Sequence, residues 1–83
     1  MTSSGAVADV IAEVRVTRSL PPPTMRRALR EAAGLTQERL GSALGVSRIA
    51  VCRWESGVRQ PTRKHRAAYA ALLAAISAEV NGS

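Results

Sequence analysis

Between Gln37 and Ser56 the chain reads QERLGSALGVSRIAVCRWES, a stretch that permits few arrangements. Leu40 and Leu44 recur at helical spacing, Gly45 interrupts, Val46 points inward, and Ser47 opens a second run whose Val51 and Trp54 again share one face. A glycine directly after Leu44 suits a helix C-terminus, where the chain often takes a left-handed conformation that glycine adopts without strain. Thr36 and Ser47 can each cap the helix that follows by accepting a backbone N–H. Two short helices therefore meet at a sharp turn. Gly41 falls where they cross most closely, so a side chain larger than alanine is expected to push them apart.

The remainder divides around this unit. Met1 to Gly5 are small and polar and are expected to fray. From Ala6 to Arg18, Val7, Val10, Ile11 and Val14 recur at i, i+3, i+4 and i+7, with Asp9 and Glu13 on the other side, which predicts an amphipathic helix. Pro21, Pro22 and Pro23 form a stiff spacer. Residues 1–23 thus read as an appendage with its linker, and residues 24–80 as the main domain. In the latter, Thr24 is expected to cap a helix from Met25 to Ala33, with Leu29 inward and Arg26, Arg27, Arg30 and Glu31 on a polar side. Thr62 is expected to cap a last helix reaching about Val80, striped by Tyr69, Leu72, Leu73, Ile76 and Val80. Its first turn, RKHR, has the wrong sign for a helix N-terminus, a cost that a nearby phosphate backbone would offset.

Eighty-three residues make one small domain, and such a domain buries only about 60–65% of the surface its unfolded chain exposes. Its core is thin, because much of the 46% hydrophobic fraction is alanine and Trp54 and Tyr69 are the only large aromatics. Dimerisation or a bound partner is therefore expected to contribute stability. Twelve Lys+Arg against six Asp+Glu give a formal charge of +6, and every cation except Lys64 is arginine. A small chain this basic usually meets a polyanion. The lone Cys52 excludes an internal disulfide and a thiolate zinc cluster, which fits a reducing cytoplasm. The N-terminus has no basic start, and no apolar run approaches the roughly 20 residues of a membrane span, so a cytoplasmic protein without membrane contact is expected. Paired carboxylates, a Ser/His/Asp set and a metal constellation are all missing, so neither enzymatic activity nor a metal or cofactor is expected.

The second helix of the central unit splits into two faces. Val51, Trp54 and Glu55 belong inside, while Arg48, Ile49, Cys52 and Arg53 lie opposite. Arginine can bond guanine through O6 and N7, and an aliphatic group can touch a thymine methyl, so these four are candidates for reading base edges in the major groove of DNA. Gln37 at a helix N-terminus, Arg39, Ser47, Arg59, Arg63, Lys64 and Arg66 are candidates for phosphate contacts. Glu55, a lone anion in this basic stretch, needs neutralising from within, and Arg30 is its expected partner. His65 and Cys52 are read as surface groups rather than as a ligand and a redox switch.

The segment LTQERLGSALGVSRIAVCRWESGVRQP resembles the Cro/C1-type (XRE family) helix-turn-helix domain of phage and bacterial repressors, matching at Leu35, Thr36, Gln37, Leu40, Gly41, Leu44, Gly45, Val46, Ser47, Val51, Trp54, Glu55, Gly57 and Pro61. The resemblance covers roughly Met25 to Ile76. It implies an all-α, lambda-repressor-like bundle of about five helices, here with an extra N-terminal helix, and a homodimer that regulates transcription on a two-fold double-stranded DNA operator. It also implies Arg48, Ile49, Cys52 and Arg53 in the groove, Gln37 on the backbone, and Arg30 paired with Glu55. Many relatives carry a short further helix that helps form the dimer; here the Ala6 to Leu20 segment is expected to pack on the last helix in its place, within one chain or across the two-fold axis. An antitoxin whose N-terminal helix holds a toxin, and a recombination accessory factor that bends phage DNA, are the other functional classes open to the chain.

Overall fold

A computed structural model describes residues 3–82. Five helices follow one another, α1 (Ser3–Ser19), α2 (Pro23–Ala32), α3 (Gln37–Leu44), α4 (Arg48–Ser56) and α5 (Arg63–Asn81), with no strand among the described residues. The protein is an all-α helix-turn-helix bundle. α5 is its spine, packing against α1, α2 and α3, while α4 lies against α2 and α3.

Local chemistry sets the boundaries. The expected Thr24 cap is corrected: α2 starts two residues earlier, with Pro23 at its first position and Pro22 before it, and no side chain caps it. Proline suits that position because its fixed φ is already helical and its missing N–H would have had no partner in the helix. The Pro22 carbonyl accepts from the N–H groups of Met25 and Arg26 at 2.9 and 3.0 Å. Thr36 and Ser47 cap α3 and α4 by accepting from the N–H groups of Arg39 and Ala50. Thr62 precedes α5 without a side-chain capping bond. α1 also starts earlier than expected, at Ser3; of the stretch expected to fray, Met1 and Thr2 lie outside the described residues.

The turn between α3 and α4 is held by Gly45, at φ 74° and ψ 29°, and by a 2.8 Å bond from the Val46 N–H to the Gly41 carbonyl. At Gly41 a Cβ would stand 2.7 Å from the Val46 carbonyl oxygen. The limit is therefore tighter than expected, since a methyl group already meets backbone.

Leu40, Val51, Trp54, Tyr69, Leu73 and Ile76 form the buried core, with Leu20, Leu29, Leu35, Leu44, Val46, Ala50 and Leu72 packed around it. The Trp54 and Tyr69 rings lie 4.9 Å apart at a tilt of 41°, within the range favoured by aromatic pairs. Val80, at the end of the expected α5 stripe, is exposed. α1 packs on α5 within one chain, yet through an unexpected side: Asp9, Ala12, Glu13 and Val16 line a cleft with Arg63, Arg66 and Ala67. Its apolar stripe of Val7, Val10, Ile11 and Val14 is turned to solvent.

Candidate nucleic-acid interface

α4 is fixed from behind by charge. Arg30 of α2 donates to both oxygens of Glu55, from Nε at 2.6 Å and from Nη2 at 2.9 Å, while its Nη1 donates to the Leu35 carbonyl at 2.8 Å. Gln37 adds a 3.1 Å bond from Nε2 to Glu55 Oε1. Both charged residues are buried, and the hydrogen bond to Glu55 pushes the Arg30 guanidinium pKa further up, against the opposing effect of burial. A carboxylate with this many donors no longer repels a phosphate strongly, so Glu55 fixes α2, α3 and α4 together without spoiling the basic surface outside.

Arg26 is the residue that sequence reasoning missed. Placed on the polar side of α2, it is instead buried. Its Nε donates to the Pro21 carbonyl at 2.7 Å, Nη1 to the Trp54 carbonyl at 3.1 Å and Nη2 to Gln60 Oε1 at 3.2 Å. The Trp54 carbonyl belongs to the last turn of α4, where carbonyls lack helical partners and the helix dipole favours a cation. One guanidinium thus ties the proline spacer, the end of α4 and the following loop. The signal was present in the spacing, because Arg26 and Arg30 are four residues apart and share a helix face.

The opposite side of α4 is open. Arg48, Ile49, Cys52 and Arg53 are all exposed, Ile49 to 54%. Arg48 borders a cleft with Arg27, Thr36 and Gln37, and Arg53 borders another with Arg59, Gln60 and His65. Ser47, Arg39, Arg59 and Lys64 are exposed beside them. The Ser47 hydroxyl accepts the α4 capping bond and keeps its proton free to donate. Gln37 is half-buried with one amide hydrogen committed to Glu55 and one left over. His65, expected at the surface, is half-buried with its ring 6.4 Å from that of Trp54.

Arg63 and Arg66, expected to contact phosphates, have partners within the chain. Arg63 Nη2 is ion-paired with Glu13 Oε1, while Arg66 donates to Thr17 Oγ1 at 3.3 Å and to the Pro61 carbonyl at 3.4 Å. Both are drawn to α1, whose docking on α5 was left open by sequence alone. Tyr69, behind Trp54, has a fully buried hydroxyl without a hydrogen-bond partner, and desolvation, reinforced by Glu55, pushes it up to about 12.

A family model described as Helix-turn-helix matches residues 27–79. The chain belongs to the Cro/C1-type helix-turn-helix family. This is a family of DNA-binding regulators, and the match spans α3, α4 and most of α5 while leaving α1 outside. No curated protein and no solved structure matches the chain. No helix among the described residues is long and apolar enough to cross a membrane.

Proposed function

We propose that the protein is a sequence-specific, double-stranded DNA-binding repressor that occupies an operator as a homodimer in the cytoplasm. The observation that carries this reading is the pairing of an inward face of α4, tied down by Arg30 and Glu55, with an outward face on which Ile49 and Cys52 lie exposed between Arg48 and Arg53. Exposed apolar groups between two arginines are costly in water and useful against base edges. Arg48, Ile49, Cys52 and Arg53 read bases; Gln37, Arg39, Ser47, Arg59 and Lys64 hold phosphates and set the register. Arg63 and Arg66 are left out, being held on α1. In the dimer the two α4 helices stand about 34 Å apart, one turn of DNA.

Selection of bound sequences from a random DNA pool tests the proposal. It predicts a two-fold symmetric site whose half-sites lie about one helical turn apart and contain G and T at the positions facing α4. Recovery of sequences without a shared motif would overturn it.

A further inference from the structure

We infer that the outer face of α1 docks a helix of another protein, apolar along one face and acidic at its margins. Val7, Val10, Ile11 and Val14 are 59%, 54%, 44% and 45% exposed, a contiguous stripe on a helix otherwise anchored to the fold. The anchor lies along the flank of the stripe and at its base. Glu13 is paired with Arg63, Thr17 accepts from Arg66, and Leu20 packs against the core. α1 is thus held against α5 with its apolar side left uncovered.

Charge decides what covers it. Four residues after Ile11 comes Arg15, and four after Val14 comes Arg18, so the stripe continues at its C-terminal end into two exposed cations. Of the acidic residues of α1, Asp9 lines the cleft toward α5, and Glu13, which borders both that cleft and Val10 and Val14, is neutralised by Arg63. The open face therefore combines apolar side chains with positive charge, and the one carboxylate that borders it, Glu13, is already paired with Arg63. A second copy of this face would bring the same cations without an anion to meet them, on a chain already at +6. A helix with leucine-like side chains on one face and Glu or Asp beside them satisfies both the stripe and the arginines. A basic partner leaves the arginines unmet, and DNA, whose phosphates could meet them, leaves the apolar stripe uncovered. The inference is independent of the DNA-binding reading, since α1 and the outer face of α4 are separate surfaces.

The test uses the full chain without DNA and two synthetic helical peptides with an identical leucine seam, one flanked by glutamates and one by lysines, followed by fluorescence anisotropy. The acidic peptide is expected to bind at micromolar concentration and at least tenfold more tightly than the basic one. Ile11→Asp is expected to lose at least tenfold of that affinity. The double variant Arg15→Glu, Arg18→Glu, whose changes sit at exposed positions that leave the fold intact, is expected to reverse the preference between the peptides. Equal binding of the two peptides, or a preference that the double variant leaves unchanged, would overturn the inference. So would binding to vesicles of phosphatidylglycerol and phosphatidylcholine with neither peptide bound, which would make the face a lipid surface. Sedimentation showing a dimer that Ile11→Asp converts to monomer would likewise overturn it in favour of a second copy.

Discussion

At the residue scale, three positions carry consequences larger than their size. Gly41 has the Val46 carbonyl oxygen 2.7 Å from where a Cβ would stand, so Gly41→Ala must shift backbone; it gains nearly 1 kcal/mol of helix propensity but is expected to lose about 1–2 kcal/mol net in denaturant unfolding. Arg30 and Glu55 form a buried pair in which either member alone is an uncompensated charge or an unmet set of donors. Arg30→Met and Glu55→Gln are each expected to cost about 3–5 kcal/mol, with the double variant Arg30→Met, Glu55→Leu closer to the parent than either single change. Thermal melts of the four proteins check this. Burial, reinforced by Glu55, pushes the Tyr69 hydroxyl up from its ordinary 10.0 to about 12, so the fold favours its neutral form. Its contribution is whole below pH 10 and falls by about 3 kcal/mol as pH rises toward 12, because the unfolded chain releases the proton first. As this is the sole tyrosine, the absorbance of tyrosinate follows it directly, and a midpoint near 10 in the folded protein would contradict the burial. Its hydroxyl has no partner, so Tyr69→Phe is expected to be neutral or stabilising by about 1 kcal/mol and to abolish that alkaline slope.

At the scale of elements, α4 is held at its end by Arg26 as well as from behind by Arg30. Arg26→Met is expected to cost about 2–4 kcal/mol and to speed hydrogen exchange at the C-terminal amides of α4, since three acceptors on three segments lose one donor group. The starts of α3 and α4 and the turn between them were legible in the sequence because glycine, serine and threonine announce helix ends through short-range chemistry, whereas at α2 proline, not Thr24, sets the start. The two faces of α4 followed from its period. The placement of Arg26 was legible in principle from its spacing to Arg30, but an arginine with only neutral acceptors leaves no opposite charge in the sequence to point to it. The orientation of α1 was not legible, because its period shows an apolar stripe without showing that Glu13 and Thr17, at the flank of that stripe, find Arg63 and Arg66 on α5. Those contacts carry their own expectation. Lys64→Ala is expected to lower the salt slope of DNA binding by about one charge, while Arg63→Ala leaves it nearly unchanged.

At the scale of the whole molecule, the fold presents two separate surfaces on one thin core, the outer face of α4 and the stripe of α1, with α5 joining them. A chain of this size has little stability in reserve, of the order of 0.05–0.15 kcal/mol per residue, so dimer formation is expected to make the melting temperature rise with protein concentration. On the proposed function, α4 reads sequence while the surrounding cations only hold the backbone. The most direct test compares binding of the parent, Arg48→Ala, Arg53→Ala and Lys64→Ala to the selected site and to random DNA at one salt concentration. The account predicts that both arginine variants lose about 1–3 kcal/mol on the selected site with little change on random DNA, and that Lys64→Ala weakens both alike; equal losses on the two DNAs for all three variants would contradict it.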